Sequence, residues 1–281
     1  MLAVLGGLGA ALCWATTTLA AARASRLVGP QRVLAWVMFT GLVVVAPLLV
    51  VAGRPHGLGG REIGWLVVSG AGNVGGLFLT YAAQRIGKIS IIAPITSTEG
   101  AIAALVAVAD GEHLGLATAV LLAIIVAAVV VASRGEDETV PGAHTLRASI
   151  YAGFAALSFG ASLFATGRVS QALPLAWALL PPRLLGVLVV TLPLAARRRL
   201  RVPRPVVPLV VLSGLCEVAG FASYSLGARH GIAIAAVLAS QFAVFAIVGS
   251  YVVFHERLRA VQVSGIVTVL VCVAVLTAVR S

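Results

Sequence analysis

Stretches of about twenty consecutive apolar residues, the length that carries an α-helix across a hydrocarbon layer about 30 Å thick, recur along almost the whole chain. Dividing the sequence at charges, glycines and prolines leaves such runs near residues 3–22, 33–52, 63–83, 89–109, 115–133, 148–167, 174–194, 206–227, 232–253 and 260–279. A bilayer offers no water to backbone groups, so a spanning segment is either a helix or a strand of a closed barrel. Barrel strands alternate in polarity and these runs do not. The expectation is an all-α integral membrane protein of ten transmembrane helices. Only 10% of the residues are charged, against about 25% in soluble domains, so little sequence remains for any soluble module. The lipid bilayer is the expected main partner, in a bacterial inner or plasma membrane. The first run begins at Met1 without a basic leader, and although Ala20-Ala21-Ala22 resembles a cleavage site, nine further runs follow. It is read as a retained first helix.

The net charge of +11 raises the question of nucleic acid. The basic residues are not interleaved with aromatics, however, and lie mainly in the short breaks between apolar runs, so no nucleic-acid partner is expected. Cys13, Cys216 and Cys272 sit inside apolar runs at unrelated spacings. That pattern gives no disulfide or zinc framework. His56, His113, His144, His230 and His255 fall in loops or at span edges, and no phosphate-binding glycine loop is present. No cofactor or metal is expected, and ATP does not drive this chain by itself.

The most polar connection, Arg134 to Arg147, carries Glu136-Asp137-Glu138 and Pro141-Gly142 between the fifth and sixth runs. It divides the chain into residues 1–133 and 148–281, with 134–147 as linker. Sliding the sequence on itself by 144 positions sets Gly70 on Gly214, Val74 on Val218, Gly76 on Gly220, Arg85 on Arg229, Gly87 on Gly231, Glu112 on Glu256 and Leu114 on Leu258. Chance pairing of scarce residues twice over is improbable, so the halves read as a duplication. Five spans per copy is an odd number, which inverts the second copy in the membrane. One set of loop ends holds Arg54, Arg61, Arg168, Arg229 and Arg280, and the other holds fourteen basic residues, five of them from Arg197 to Arg204. The positive-inside rule therefore favours both termini outside.

The pattern resembles the drug/metabolite transporter superfamily, in its EamA-type ten-helix form. The resemblance is carried by Trp14, by the segment from Tyr81 to Pro94, and by the corner Gly111-Glu112-His113-Leu114, repeated as His255-Glu256-Arg257-Leu258. The second copy departs from it with Leu238 where Pro94 stands in the first. The resemblance implies movement of small molecules such as amino acids, other metabolites, sugars or drugs, and no enzymatic activity.

Ionisable groups inside a membrane are costly and mark function by default. Glu99, Glu217 and Arg183 lie within apolar runs and are expected to face the bundle interior. A carboxylate there could bind a substrate ammonium or trade a proton for substrate, and Arg183 could pair with a substrate carboxylate. The structural alternative is an ion pair between Arg183 and one glutamate. Glu217 falls on Asn73 in the duplication, a paired polar position at the depth where a carrier's site is expected. Thr96, Ser97, Ser240 and Gln241 form a second matched set, and Tyr81, Tyr224 and Trp14 are candidates for stacking on a cargo. Glu112 and Glu256 read as helix terminators or loop salt bridges, and the glycines Gly70, Gly72, Gly75 and Gly76 as a close-packing face. Three function classes compete: a secondary exporter working by alternating access, with the proton a candidate coupling ion; a membrane-embedded enzyme acting on lipid-linked substrates; and a scaffold or receptor. The second needs clustered carboxylates or a nucleophile at one membrane face, and the third a sizeable loop, so the carrier reading leads.

Overall fold

In a computed structural model, residues 1–53, 55, 58–87, 89–132, 145–254 and 260–280 are described. The polar linker around Glu136-Asp137-Glu138, Lys88, His56 and the corner holding Glu256 lie outside them. Every regular element among the described residues is helical. In chain order these are α1 (Leu2–Val28), α2 (Pro30–Ala52), α3 (Gly60–Ile86), α4a (Ile89–Thr96), α4b (Glu99–Ala109), α5 (Leu116–Ala132), α6 (Thr145–Ala172), α7 (Leu175–Ala196), α8 (Val207–Ala228), α9a (Ile232–Ala239), α9b (Phe242–Phe254) and α10 (Ala260–Arg280). All ten apolar runs are thus helical. Seven are long and apolar enough to cross a membrane outright, and three shorter apolar stretches, Leu116–Ala128, Ile232–Ala246 and Val263–Leu276, complete the set. Large apolar side chains such as Val50, Val51 and Leu116 point outwards, whereas Asn73, Glu99, Arg183 and Glu217 are buried. That inversion of the water-soluble pattern suits a lipid surround.

The packing repeats itself under the 144-residue shift. The first helix of each half lies along the third helix of the other, α1 on α8 and α6 on α3, while α2 meets α7, α5 meets α10, and α4b meets α9a. Glycines permit the two long crossings at matched places. A Cβ on Gly76 would come within 2.6 Å of the Phe159 ring of α6, and one on its counterpart Gly220 would run into the Trp14 indole of α1. Gly70 likewise abuts Pro181 and its counterpart Gly214 abuts Val37, themselves 144 positions apart. The hydrogen bonds follow: Ser162 Oγ donates to Ser69 O at 2.8 Å, and Thr17 Oγ1 donates to Ser213 O at 3.3 Å, an equivalent pair to within one residue. Of the four glycines expected to form a close-packing face, Gly75 alone has no neighbour within 4 Å of an added Cβ.

The fourth helix of each half is broken, at residues 97–98 and 240–241. Pro94 precedes the first break, but Leu238 stands at its counterpart, so proline is not the common cause. The shared feature is side chains that bond back to the preceding turn. Thr96, Ser97 and Thr98 donate to the carbonyls of Ile92, Pro94 and Ile95, and Ser240 and Gln241 both donate to Val237 O. Such bonds offer the backbone an alternative to the helical ladder. The breaks face each other, because a Cβ on Gly100 would lie 2.6 Å from Ser240 Oγ.

Candidate functional site: a central polar cavity

Asn73 on α3 and Glu217 on α8 occupy equivalent positions in the two copies and bond to one another across the centre, Asn73 Nδ2 donating to Glu217 Oε1 at 3.2 Å. Arg183 closes the arrangement. Its Nη1 donates to Asn73 Oδ1 at 3.3 Å and its Nη2 to Glu217 O at 3.2 Å, with the guanidinium carbon 5.2 Å from the Phe221 ring centroid. The side chain is completely buried. Gly41 of α2 makes the room, since a Cβ there would fall 2.7 Å from Arg183 Cδ. Pro181 and Pro182 sit immediately before it, and a π-helical turn, Val187–Thr191, follows within the same span. Irregular turns of this type are frequent at functional sites. Asn73 is therefore an amide bridge between a guanidinium and a carboxylate, using its oxygen for one and its nitrogen for the other. A direct ion pair of Arg183 with a glutamate, the structural alternative raised by the sequence, is not what forms; the one salt bridge among the described residues joins Arg168 and Asp110 at a helix end.

This bridge forms one wall of a cavity lined by Trp14, Thr17, Thr18, Asn73, Leu77, Thr80, Tyr81, Gln84, Thr96, Glu99, Phe159, Leu163, Glu217, Phe221 and Phe242. The cavity volume is only about 50 Å³. That is room for a few waters, and a metabolite would require the helices to part. Glu99, at the start of α4b, is buried on this cavity with no hydrogen bond or ion pair among the described residues. Trp14 Nε1, Thr80 Oγ1, Tyr81 Oη and Gln84 Oε1 also have no hydrogen-bond partner among the described residues. Buried polar atoms are nearly always satisfied, so four unpartnered groups and a carboxylate around one cavity form a set available to a polar guest. The apolar part of the lining is aromatic, with Trp14 packed against Phe221, ring centroids 5.2 Å apart and planes tilted by 58°.

Of the residues singled out from the sequence, Glu217, Glu99, Asn73, Thr96, Tyr81 and Trp14 meet at this cavity. Arg183 lies behind it. Ser97 and Ser240 are spent on the helix breaks, Gln241 bonds there through Nε2 while its Oε1 has no partner among the described residues, and Tyr224 is an anchor whose hydroxyl donates to Leu163 O at 2.8 Å. Thr17, Thr18, Thr80 and Gln84 were not anticipated. A signal for two of them exists: 73, 77, 80 and 84 follow helical spacing on one face of α3, so Asn73 predicts Thr80 and Gln84 once its face is taken as the interior one. Glu112 is a terminator as expected, its N–H closing the end of α4b on Ala107 O at 2.9 Å, and it forms no salt bridge among the described residues. Its carboxylate accepts from the backbone N–H groups of Ile232 and Ala233 at 3.1 and 3.2 Å, capping α9a.

The two ends of the bundle differ. At one, Arg168 pairs with Asp110, Arg229 donates to Ser170 O and Leu173 O, and Gln171 donates to Ala228 O, tying α4b, α6 and α8 together. The cavity runs the other way, from Asn73 to Gln84 along α3, towards the end where Arg26, Arg32, Arg85 and Arg199 gather.

Fold and site together define a multi-pass helical membrane protein with ionisable groups collected at its centre. Residues 1–134 match the model of the EamA-like transporter family. That stretch, nearly half of the chain, is thus similar to a family of membrane transporters within the drug/metabolite transporter superfamily. A solved crystal structure, titled only as that of a protein, shares the fold with a TM-score of 0.72 at 19% identity, over 99% of this chain and 96% of its own. The comparison with curated proteins returned no match.

Proposed function

We propose that the protein is a secondary carrier that exports small polar or amphipathic metabolites, amino acids among them, by alternating access around the central cavity, with protons as the coupling ion. The observation that carries this reading is the hydrogen bond between Asn73 and Glu217 across the two copies, beside a second carboxylate, Glu99, that has no partner among the described residues. Inverted repeats that meet at a midplane site rock against each other about it. Residues 1–133 and 148–281 are the two moving halves. Glu217 takes up and releases the coupling proton, Glu99 receives a substrate ammonium, the aromatic wall takes the apolar part of the cargo, and Arg183 holds the Asn73–Glu217 bridge from behind. The excess of arginine at one end supports a cytoplasmic location for it, in a bacterial inner or plasma membrane. The cavity runs towards that end, which favours entry of cargo from inside and hence export.

A thermal-shift screen of purified protein against amino acids, sugars, nucleosides and cationic drugs tests the reading, because a ligand that binds only the folded state raises its apparent stability. One chemical class should shift the melting temperature selectively, and Glu99→Gln should abolish that shift. A uniform absence of shifts, or one untouched by Glu99→Gln, contradicts the site assignment. An enzyme acting on lipid-linked substrates would need its reacting groups at a membrane face, whereas Glu99 and Glu217 sit on the central cavity.

A further inference from the structure

A second cavity lies at the arginine-rich end, lined by Arg26, Arg32, Arg85 and Arg199 together with Leu27, Phe78 and Leu194. The four guanidinium groups come from four separate places: the end of α1, the start of α2, the end of α3 and the segment after α7. No carboxylate lines the cavity, and none of the four has an acidic partner among the described residues. Arg26 is held in place by its own contacts to Gln84 O and Gly87 O, at 3.4 and 3.5 Å. The segment carrying Arg199 is tied to α2 by Trp36 Nε1 donating to Leu200 O at 3.0 Å. Gathering four like charges is unfavourable unless an anion neutralises them.

The cavity's position identifies the anion. Phe78 and Arg85 are seven residues apart on α3, off the face formed by Leu77, Thr80 and Gln84, so this space is separate from the central one. Phe78 is 37% and Leu27 63% exposed, on a molecule whose exposed helix faces meet lipid. The walls thus offer a guanidinium cluster at the depth of the headgroups and, about two turns further in along α3, an apolar ledge at Phe78. The cavity volume is about 530 Å³, ample for a phosphate-bearing headgroup. The start of α2, with Pro30 at its first turn, adds backbone N–H groups to the same rim.

We infer that this cavity is a binding site for the phosphate of an anionic phospholipid, with an acyl chain lying along Phe78. Arginines pair with phosphate through two parallel N–H donors, which a zwitterionic lipid's own ammonium group would oppose. The site is independent of the cargo cavity, and transport of any particular substrate is not assumed.

The test uses full-length, delipidated protein in detergent micelles, with lipid affinity read from thermal-shift titrations. Phosphatidylglycerol should stabilise the wild type where phosphatidylcholine does not. Replacing Arg32, Arg85 and Arg199 together by Gln should weaken phosphatidylglycerol binding roughly a hundredfold, about fivefold per guanidinium. Arg197→Gln, outside the cavity, should leave it unchanged. Should the triple variant fail to fold, Arg85→Gln alone should give the fivefold loss, since the Arg85 side chain is exposed and makes no hydrogen bond among the described residues. Equal stabilisation by both lipids, or selectivity that survives these substitutions, overturns the proposal. Inorganic phosphate or glycerol phosphate reproducing the full shift would assign the site to a soluble anion and overturn the lipid assignment.

Discussion

Exchanging Asn73 and Glu217 probes the centre of the bundle more sharply than deleting either. The two side chains occupy equivalent places in the copies and lie 3.2 Å apart. Asn73→Glu alone sets two carboxylates at that separation, and their repulsion at an effective dielectric of about 20 is on the order of 5 kcal/mol. The variant must lose much of that in stability or hold a proton between the two groups. With a melting shift of roughly 2–4 °C per kcal/mol for chains of this size, a drop of about 10 °C is expected. The double variant Asn73→Glu with Glu217→Asn restores one carboxylate and one amide, with the carboxylate now facing the Nη1 of Arg183 that Asn73 Oδ1 faces at 3.3 Å. It should recover to within about 3 °C of wild type, because contacting residues depart from additivity by 0.5–3 kcal/mol or more. Thermal unfolding in detergent, followed for wild type, both single variants and the double, gives the full cycle. A double variant as unstable as Asn73→Glu, or less stable still, would refute the bridge.

Three further outcomes follow from contacts elsewhere. Glu112→Ala removes the carboxylate that accepts from Ile232 and Ala233, and should cost about 1–2 kcal/mol, read as a lower melting temperature; an unchanged melt would mean that the cap carries no weight. Gly220→Val drives a side chain into Trp14 and should destabilise by about 1–3 kcal/mol and shift tryptophan emission, while Gly75→Ala, which meets nothing within 4 Å, should do neither. Tyr224→Phe should cost about 1 kcal/mol by losing its bond to Leu163 O and leave ligand shifts intact, whereas Tyr81→Phe, whose hydroxyl has no hydrogen-bond partner among the described residues, should spare stability and weaken ligand binding.

The helices and their repetition were readable because hydrophobic run length and scarce-residue matches are properties of sequence alone. Gly76 and Gly220 show why: each copy must open the same space for an aromatic ring on the facing helix, so the glycine recurs at the same place. Membrane cost also made Glu99, Glu217 and Arg183 conspicuous. What each of them does was not readable. Whether Arg183 meets a carboxylate or an amide depends on helix rotation, which no periodicity in an almost uniformly apolar span records. Ser97, Ser240 and Gln241 were singled out for polarity, but short polar side chains near a helix break satisfy carbonyls of their own chain before they serve a guest. Thr17 and Thr18 were overlooked for the converse reason, being hydroxyls in an ordinary-looking helix whose neighbours across the cavity come from distant segments.

If the Asn73–Glu217 bridge and Glu99 form the coupled site proposed above, flux of the ligand class found by thermal shift, measured in proteoliposomes with and without an imposed pH gradient, must depend on Glu217. The wild type should move the ligand faster when the gradient is present, and Glu217→Gln should fold normally, lose the gradient's effect and retain at most slow exchange. Gradient-driven flux that persists undiminished in Glu217→Gln would contradict the claim.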